Sequence, residues 1–184
     1  MQLPIIAADG AYNKLIKQDI IPDYIVGDFD SVTSEIHKDC QQIKITEQET
    51  TDFEKCINFA IKLELKPCIV YGASGLDLDH QMHNLNLIMR YKKLCPMLIK
   101  NRQQELIALP ENFALKTKKD SIISLMPYPE GIISTEGLRW ELINSKLSIY
   151  NMASIRNQAN SELVKITCLG SVFLVCEHGI YSLV

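Results

Sequence analysis

The apolar positions of this chain fall into two textures that change near residue 100. In the first, short apolar runs alternate with stretches of helical period. Ile5-Ile6-Ala7-Ala8 predicts a buried strand closed by a turn at Asp9-Gly10, residues 11–18 an amphipathic helix carrying Leu15 and Ile16, and Tyr24-Ile25-Val26 a second buried strand. A weak strand at Ile43-Lys44-Ile45 precedes the clearest helix, where Phe53, Cys56, Ile57, Ala60 and Ile61 recur at i, i+3, i+4, i+7 and i+8. Thr51 with Glu54 three residues later fits a capping box at its start. Cys68-Ile69-Val70-Tyr71 predicts a further buried strand. Residues 79–93 then read as a helix with Met82, Leu85 and Met89 on its apolar stripe and Asp79, His83, Asn86 and Arg90 on its polar one. Such alternation predicts a mostly parallel sheet whose ligands lie outside the carboxyl ends of its strands.

In the second texture, short β-like runs follow one another: 103–109, 112–117, 121–126, 132–135, 146–150, 163–169 and 172–176, with turns at Pro129-Glu130-Gly131 and Gly170-Ser171. The expected architecture is an α/β domain over residues 1–100 and an all-β sandwich over 101–184.

Composition narrows the class. With 47% hydrophobic and 22% charged residues the chain has the material for a core. A formal net charge of -3 offers no broad footprint for nucleic acid or an anionic membrane, and no apolar run approaches the roughly 18 residues of a span. The six cysteines show no Cys-x-x-Cys pair and no histidine at zinc-ligand spacing, as expected of reduced core residues in a cytoplasmic protein.

The candidate chemistry centres on Gly27-Asp28-Phe29-Asp30-Ser31, directly after a predicted strand. In an extended segment Asp28 and Asp30 point the same way while Phe29 turns inward, and a close carboxylate pair suits Mg²⁺ held together with substrate phosphate oxygens. The same residues also make an ordinary solvated acidic turn. Asp52, in the first turn of its helix, is either a third carboxylate beside that loop or a complement to the helix dipole. The exposed N–H groups there suit phosphate, and Lys55 one turn on is either an anion partner or a solvated lysine. Asp79 opens the next helix after Gly72-Ala73-Ser74-Gly75. Acidic groups from four loops are thus expected to meet at one rim. His80 and His83 lack a third ligand and make no metal site. In the β-rich half, Trp140 is either a core or interface anchor or, next to Arg139, a stacking platform for a flat cationic heteroaromatic, and Ser154-Ile155-Arg156-Asn157 reads as a polar loop.

Together, Ala8-Asp9-Gly10 with Asn13, Asp23 with Gly27-Asp28-Phe29-Asp30-Ser31, Gln48 with Thr51-Asp52-Phe53 and Lys55, and Gly72-Ala73-x-Gly75-x-x-Leu78-Asp79-His80 resemble the thiamin pyrophosphokinase family. Gly137-Leu138-Arg139-Trp140 and the 154–157 segment extend the resemblance to the β-rich half. The resemblance implies transfer of an intact diphosphate from ATP to the hydroxyethyl group of thiamin, giving thiamin diphosphate and AMP. It also implies a homodimer with active sites shared between subunits. Carried over residue by residue, it makes Asp28, Asp30 and Asp52 Mg²⁺ ligands and lines the nucleotide and diphosphate region with Asp9, Asn13, Gln48, Thr51 and Lys55. Asp79 would orient or deprotonate the thiamin hydroxyl, and Trp140 would stack on thiamin beside Ser154 and Asn157. The chain departs from the family pattern in four places. It starts at what resembles the family's second strand, so either the sheet is one strand short or the start has been trimmed. Ala11-Tyr12 replaces Gly-Ala, which would crowd that loop; Glu49 replaces an aspartate; and Leu76-Asp77 replaces Gly-Arg, so that an anion stands where a phosphate-facing cation is expected. The departures keep two rival readings in play, another Mg²⁺-dependent nucleotide phosphotransferase and a non-catalytic binder of thiamin or thiamin diphosphate.

Overall fold

Strand β1 (Ile6–Ala8) runs straight into helix α1 (Asp9–Ile16), so Asp9-Gly10 forms the first helical turn instead of a separate one. An aspartate at that position complements the helix dipole, which favours the early start. Strand β2 (Tyr24–Gly27) and strand β3 (Gln41–Lys44) complete a parallel three-stranded sheet in the order β1-β2-β3. Helix α2 (Asp52–Lys62) packs on β1 and β2. Neighbouring residues of a strand face opposite sides. Tyr24 meets Phe59 of α2 edge-on with ring centroids 5.1 Å apart, while Ile25 lies in the core with Tyr12 of α1, so the two helices cover opposite faces. Tyr12 does not crowd its loop. It is fully buried, and its hydroxyl accepts from His37 N at 2.8 Å and donates to the Glu35 carbonyl at 3.2 Å.

This computed structural model describes residues 3–74 and 77–177. The elements above belong to a first compact unit, Met1–Lys66, and those that follow to a second, Pro67–Val184.

In the second unit, strand β4 (Cys68–Tyr71) pairs in parallel with β5 (Met97–Lys100), and helix α3 (Leu78–Arg90) connects them. β4 is not the buried strand expected: Ile69 and Tyr71 are exposed because β4 forms the outer edge of its sheet. Helix α3 is also rotated from its expected stripe, burying Leu87 and Ile88 while Met82 faces solvent. From β5 the chain turns back antiparallel into β6 (Gln104–Ala108), followed by β7 (Asn112–Lys116), β8 (Ile122–Glu136), β9 (Ser145–Ser148), β10 (Ser154–Gln158) and β11 (Leu163–Glu177). One ladder in the order β10-β8-β11-β6-β5-β4 holds this mostly-β unit together, with β7 added to β11 and β9 to β8.

Two expected turns are absent. Pro129-Glu130-Gly131 lies inside β8 and Gly170-Ser171 inside β11, each a continuous 15-residue strand. The glycines mark a close approach: Gly131 pairs with Gly170, and a Cβ on Gly170 would come within 2.8 Å of the Glu130 carbonyl oxygen. The register shifts just after this point, as at a bulge that bends both strands without ending them. Around them Leu115, Ile123, Leu125, Ile133, Leu147 and Leu174 are fully buried. The cysteines are all reduced, and four of the six are buried. No helix among the described residues is long and apolar enough to cross a membrane.

Candidate active site

The acidic loop begins at Gly27, which closes β2 with φ at +154°. A Cβ there would lie 2.8 Å from Asp9 Cγ, so only glycine lets that carboxylate press against the backbone. Asp9 is 1% exposed, and its oxygens accept from Gly10 N and, at 3.1 Å, from Phe29 N. Phe29 adopts a left-handed φ of +74°, a conformation costing a non-glycine residue roughly 1–3 kcal/mol. Its ring packs against the core that contains Tyr12 and Ile25, and that burial offsets the strain. Asp28 and Asp30 therefore converge through a turn and not along an extended segment. Asp30 N donates to Asp28 Oδ1 at 3.1 Å, and Ser31 Oγ donates to Asp30 Oδ1 at 2.9 Å.

Asp9, Asp28 and Asp30 each offer an oxygen such that all three lie within 4.8 Å of one another. That spread is close to the roughly 4 Å across two opposed Mg–O bonds, and an all-carboxylate set is the donor chemistry of a hard cation. The charge balance agrees. Burial first, and then the neighbouring Asp52 carboxylate, push Asp9 up from 3.8 to about 6, and a cation beside it would favour its charged form. Asp28 behaves oppositely: the Asp30 N–H and the Gln48 amide hold it below the usual carboxylate range. Gln48 Nε2 makes that contact at 2.7 Å.

Asp52, grouped by the sequence with Asp28 and Asp30, stands instead between Asp9 and Lys55 and outside the three-oxygen shell. Its Oδ1 accepts from Lys55 Nζ at 3.1 Å. Lys55 is only 4% exposed, so it is not a solvated helical lysine. Burial pulls its pKa down, but Asp52, Glu47 and Asp28 outweigh that and hold it above the ordinary lysine value. Thr51 caps α2, its hydroxyl accepting from Glu54 N at 3.4 Å. Asn13 is bound to the far end of the acidic loop. Its Oδ1 accepts from Thr33 N and Ser34 N, both at 3.0 Å, and its Nδ2 donates to the Ser31 carbonyl at 2.8 Å. Glu47 was not singled out by the sequence, yet its carboxylate takes the Glu49 and Thr50 N–H groups and the Thr50 hydroxyl, shaping the approach to α2. The signal available for it was the Glu-x-x-Thr spacing, which is weak.

The remaining candidates lie in the second unit. Asp79 is exposed in the first turn of α3, where its Oδ1 accepts from His80 N at 2.8 Å. Asp77 precedes it as an exposed helix cap without a side-chain cap bond, while Gly75 and Leu76 of the same motif lie outside the described residues. Trp140, Ser154 and Asn157 come together. Asn157 is buried, its Oδ1 accepting from Trp140 N at 3.2 Å and Gln158 N at 2.8 Å. Its Nδ2 donates to the Trp140 carbonyl at 2.7 Å and to Ser154 Oγ at 3.2 Å. Segment 154–157 is not a loop but part of β10, bulged between Ser154 and Asn157 with Arg156 at φ +56°. Trp140 is 55% exposed, so it is no core anchor, and the Arg139 guanidinium lies 5.0 Å from its ring centroid.

Comparison with known proteins bears on both units. Residues 3–99 match the family model described as thiamin pyrophosphokinase, catalytic domain, and residues 109–171 match thiamin pyrophosphokinase, vitamin B1 binding domain. The chain is 25% identical over 198 residues to thiamin pyrophosphokinase 1 of Caenorhabditis elegans, covering 97% of this chain and 81% of that protein. It is 28% identical over 165 residues to thiamine pyrophosphokinase 1 of Oryza sativa subsp. japonica, covering 79% of this chain and 62% of the relative. Among solved structures, a Lactobacillus plantarum protein superposes with a TM-score of 0.81 at 19% identity, covering 96% of this chain and 88% of that one. Thiamine pyrophosphokinase from Bacillus subtilis superposes with a TM-score of 0.78 at 18% identity, over 94% and 85% of the two chains. At these identities the superpositions speak for the fold.

Proposed function

The chain belongs to the thiamin pyrophosphokinase family, and from that premise we propose that it transfers the terminal diphosphate of ATP to the hydroxyethyl oxygen of thiamin, releasing AMP. The observation that carries the reading is the three-carboxylate shell of Asp9, Asp28 and Asp30 beside the start of α2 and the buried Lys55. We assign residues 1–100 to nucleotide and metal and residues 101–184, as a β-sandwich, to thiamin, in keeping with the extents of the two family matches.

Asp28 and Asp30 hold Mg²⁺, with Asp9 behind them and Asp52 at the edge of α2. When bound, the metal supplies positive charge against the phosphate oxygens of ATP, the largest demand of phosphoryl-type transfer. Gln48 fixes the Asp28 carboxylate, and Asn13 fixes the loop that carries Asp30. Lys55 and the first N–H groups of α2, capped by Thr51, face the transferred diphosphate. Asp79 orients the thiamin hydroxyl and takes its proton. Trp140 stacks on the pyrimidine of thiamin, with Ser154 and Asn157 keeping the indole in place. Following the family, the functional form is a cytoplasmic homodimer with each site completed by the partner subunit.

The test is a product balance. Purified protein given ATP, thiamin and Mg²⁺ should form thiamin diphosphate and AMP in equal amounts. ADP with orthophosphate, or saturable thiamin binding without AMP, would defeat the assignment.

A further inference from the structure

Of the six thiols four are buried, and one of these, Cys95, touches one that is not, Cys68. Cys68 opens β4, the edge strand of the second unit's sheet, and Cys95 lies in the turn between α3 and β5. The backbone brings the two together. Cys68 N donates to the Pro96 carbonyl at 2.9 Å, and Cys68 stands in register with Met97, two residues beyond Cys95. Cys95 N is held in turn by the Tyr91 carbonyl at 2.8 Å, at the end of α3.

The sulfurs lie 3.5 Å apart, Cys95 Sγ donating to Cys68 Sγ. A covalent S–S bond of about 2.05 Å needs a further closure of roughly 1.5 Å. The two thiols differ as an attacking and a resolving sulfur must. Cys95 is 1% exposed and out of reach of a dissolved oxidant, whereas Cys68 is partly open to solvent at the sheet edge. The Cys95 S–H, donating to it, brings the Cys68 thiol down from 9.0 to about 7 against a smaller opposing effect of burial. Much of Cys68 is then thiolate at neutral pH, the form that attacks a disulfide, with a second thiol already beside it.

We propose that Cys68 and Cys95 are a redox-active pair, converted by a small-molecule disulfide such as oxidised glutathione into a reversible intramolecular disulfide that ties the edge strand β4 to the approach to β5. The Cys68 sulfur attacks one sulfur of glutathione disulfide, whose S–S bond breaks and releases one glutathione, which takes up the Cys68 proton. Cys95 then attacks Cys68 Sγ, expelling the second glutathione, which leaves with the Cys95 proton. Two protein thiols are oxidised by two electrons, and one disulfide is reduced to two thiols. The closed ring spans residues 68–95 and so contains β4 and α3. By restricting the unfolded chain, the bond stabilises the fold. Both sulfurs belong to the second unit and need neither nucleotide nor thiamin, so the proposal stands apart from the diphosphotransferase reading.

In the test, the full chain is reduced, freed of reductant and incubated folded with oxidised glutathione, then denatured and its thiols alkylated. Alkylatable thiols should fall from the six of the sequence to four, with Cys68 and Cys95 recovered in one cross-linked peptide pair, and dithiothreitol should restore all six. The oxidised protein should melt about 5 °C or more above the reduced one. Cys95→Ser should stop with one glutathione on Cys68, because the resolving sulfur is gone, and Cys68→Ser should leave Cys95 unmodified. Both main readings use the unaltered protein, so they stand even if a variant does not fold. Six thiols after treatment, a bond between any other cysteines, a lasting glutathione adduct on Cys68 without the cross-link, or a thermal midpoint no higher than that of the reduced chain would overturn the proposal.

Discussion

At the end of β2, burial and then the neighbouring Asp52 carboxylate force Asp9 up to about 6. Around Asn157 the hydrogen-bonding partners are neutral, and all four hydrogen-bonding positions of one amide are occupied by Trp140, Ser154 and Gln158. The acidic region is incomplete by itself, because backbone N–H groups and one lysine do not balance its charge. The amide of that corner is satisfied before any ligand arrives, and the half-exposed indole of Trp140 stands beside it with the Arg139 guanidinium 5.0 Å from its ring centroid. Charge that awaits a partner suits catalysis, where stabilisation must appear with the reacting group. A cradle whose hydrogen bonds are already made suits recognition of a flat vitamin.

The contrast can be broken at either end. Asp28→Asn should lower the rate of thiamin diphosphate formation at least about a hundredfold while thiamin affinity stays within about twofold, as a charge-stabilising role requires. Full activity in that variant would end the metal role of Asp28. Trp140→Ala should do the reverse, raising KM for thiamin roughly tenfold, worth about 1.4 kcal/mol, with little change in kcat. Because Trp140 is the only tryptophan, thiamin should also quench the intrinsic fluorescence of the unaltered protein, and a flat titration would count against stacking.

Smaller effects sharpen the same contrast. Asn157→Ala leaves the Ser154 and Trp140 polar groups unmatched and should cost about 1–3 kcal/mol in denaturant unfolding, together with thiamin affinity. If stability were unchanged, the cradle would not depend on that amide. Asp9 sets a pH signature. Its folded pKa is raised from 3.8 to about 6, so the metal-free fold binds more protons than the unfolded chain within that window. The stability it contributes is fully present below about pH 4 and is lost as pH rises through about 6. The thermal midpoint should therefore fall over that range, and Asp9→Asn should flatten the slope. An identical slope in the variant would mean that another group is responsible.

Much of the acidic region could be read in the sequence because its signals are local. The period of α2, the Thr51 cap and the aspartates that follow β2 each lie within a few residues of one another. Other features depended on contacts distant in sequence. Asp9 reaches the loop across Gly27, and the left-handed turn at Phe29 exists because its ring finds the core. Lys55 keeps its charge while buried because Asp52 of its own helix and Glu47 and Asp28 from outside it stabilise the ammonium, which helical periodicity does not encode. In the β-rich unit, proline and glycine misled in a specific way. Pro129, Gly131 and Gly170 carry turn chemistry but serve to let two long strands bend past each other. The polar composition of residues 154–157 concealed a strand because its pairing with β8 is interrupted by a bulge. Leu87 and Ile88 displaced the expected stripe of α3, since the helix packs near its end and not along its length.

The ladder that carries β5 directly into β6 has a practical consequence for anyone dividing this molecule. A cut near residue 100, where the two family matches part company, would unzip a fully formed seam and leave each fragment with a raw, adhesive strand border prone to clumping. A cut between Lys66 and Pro67 severs no described ladder.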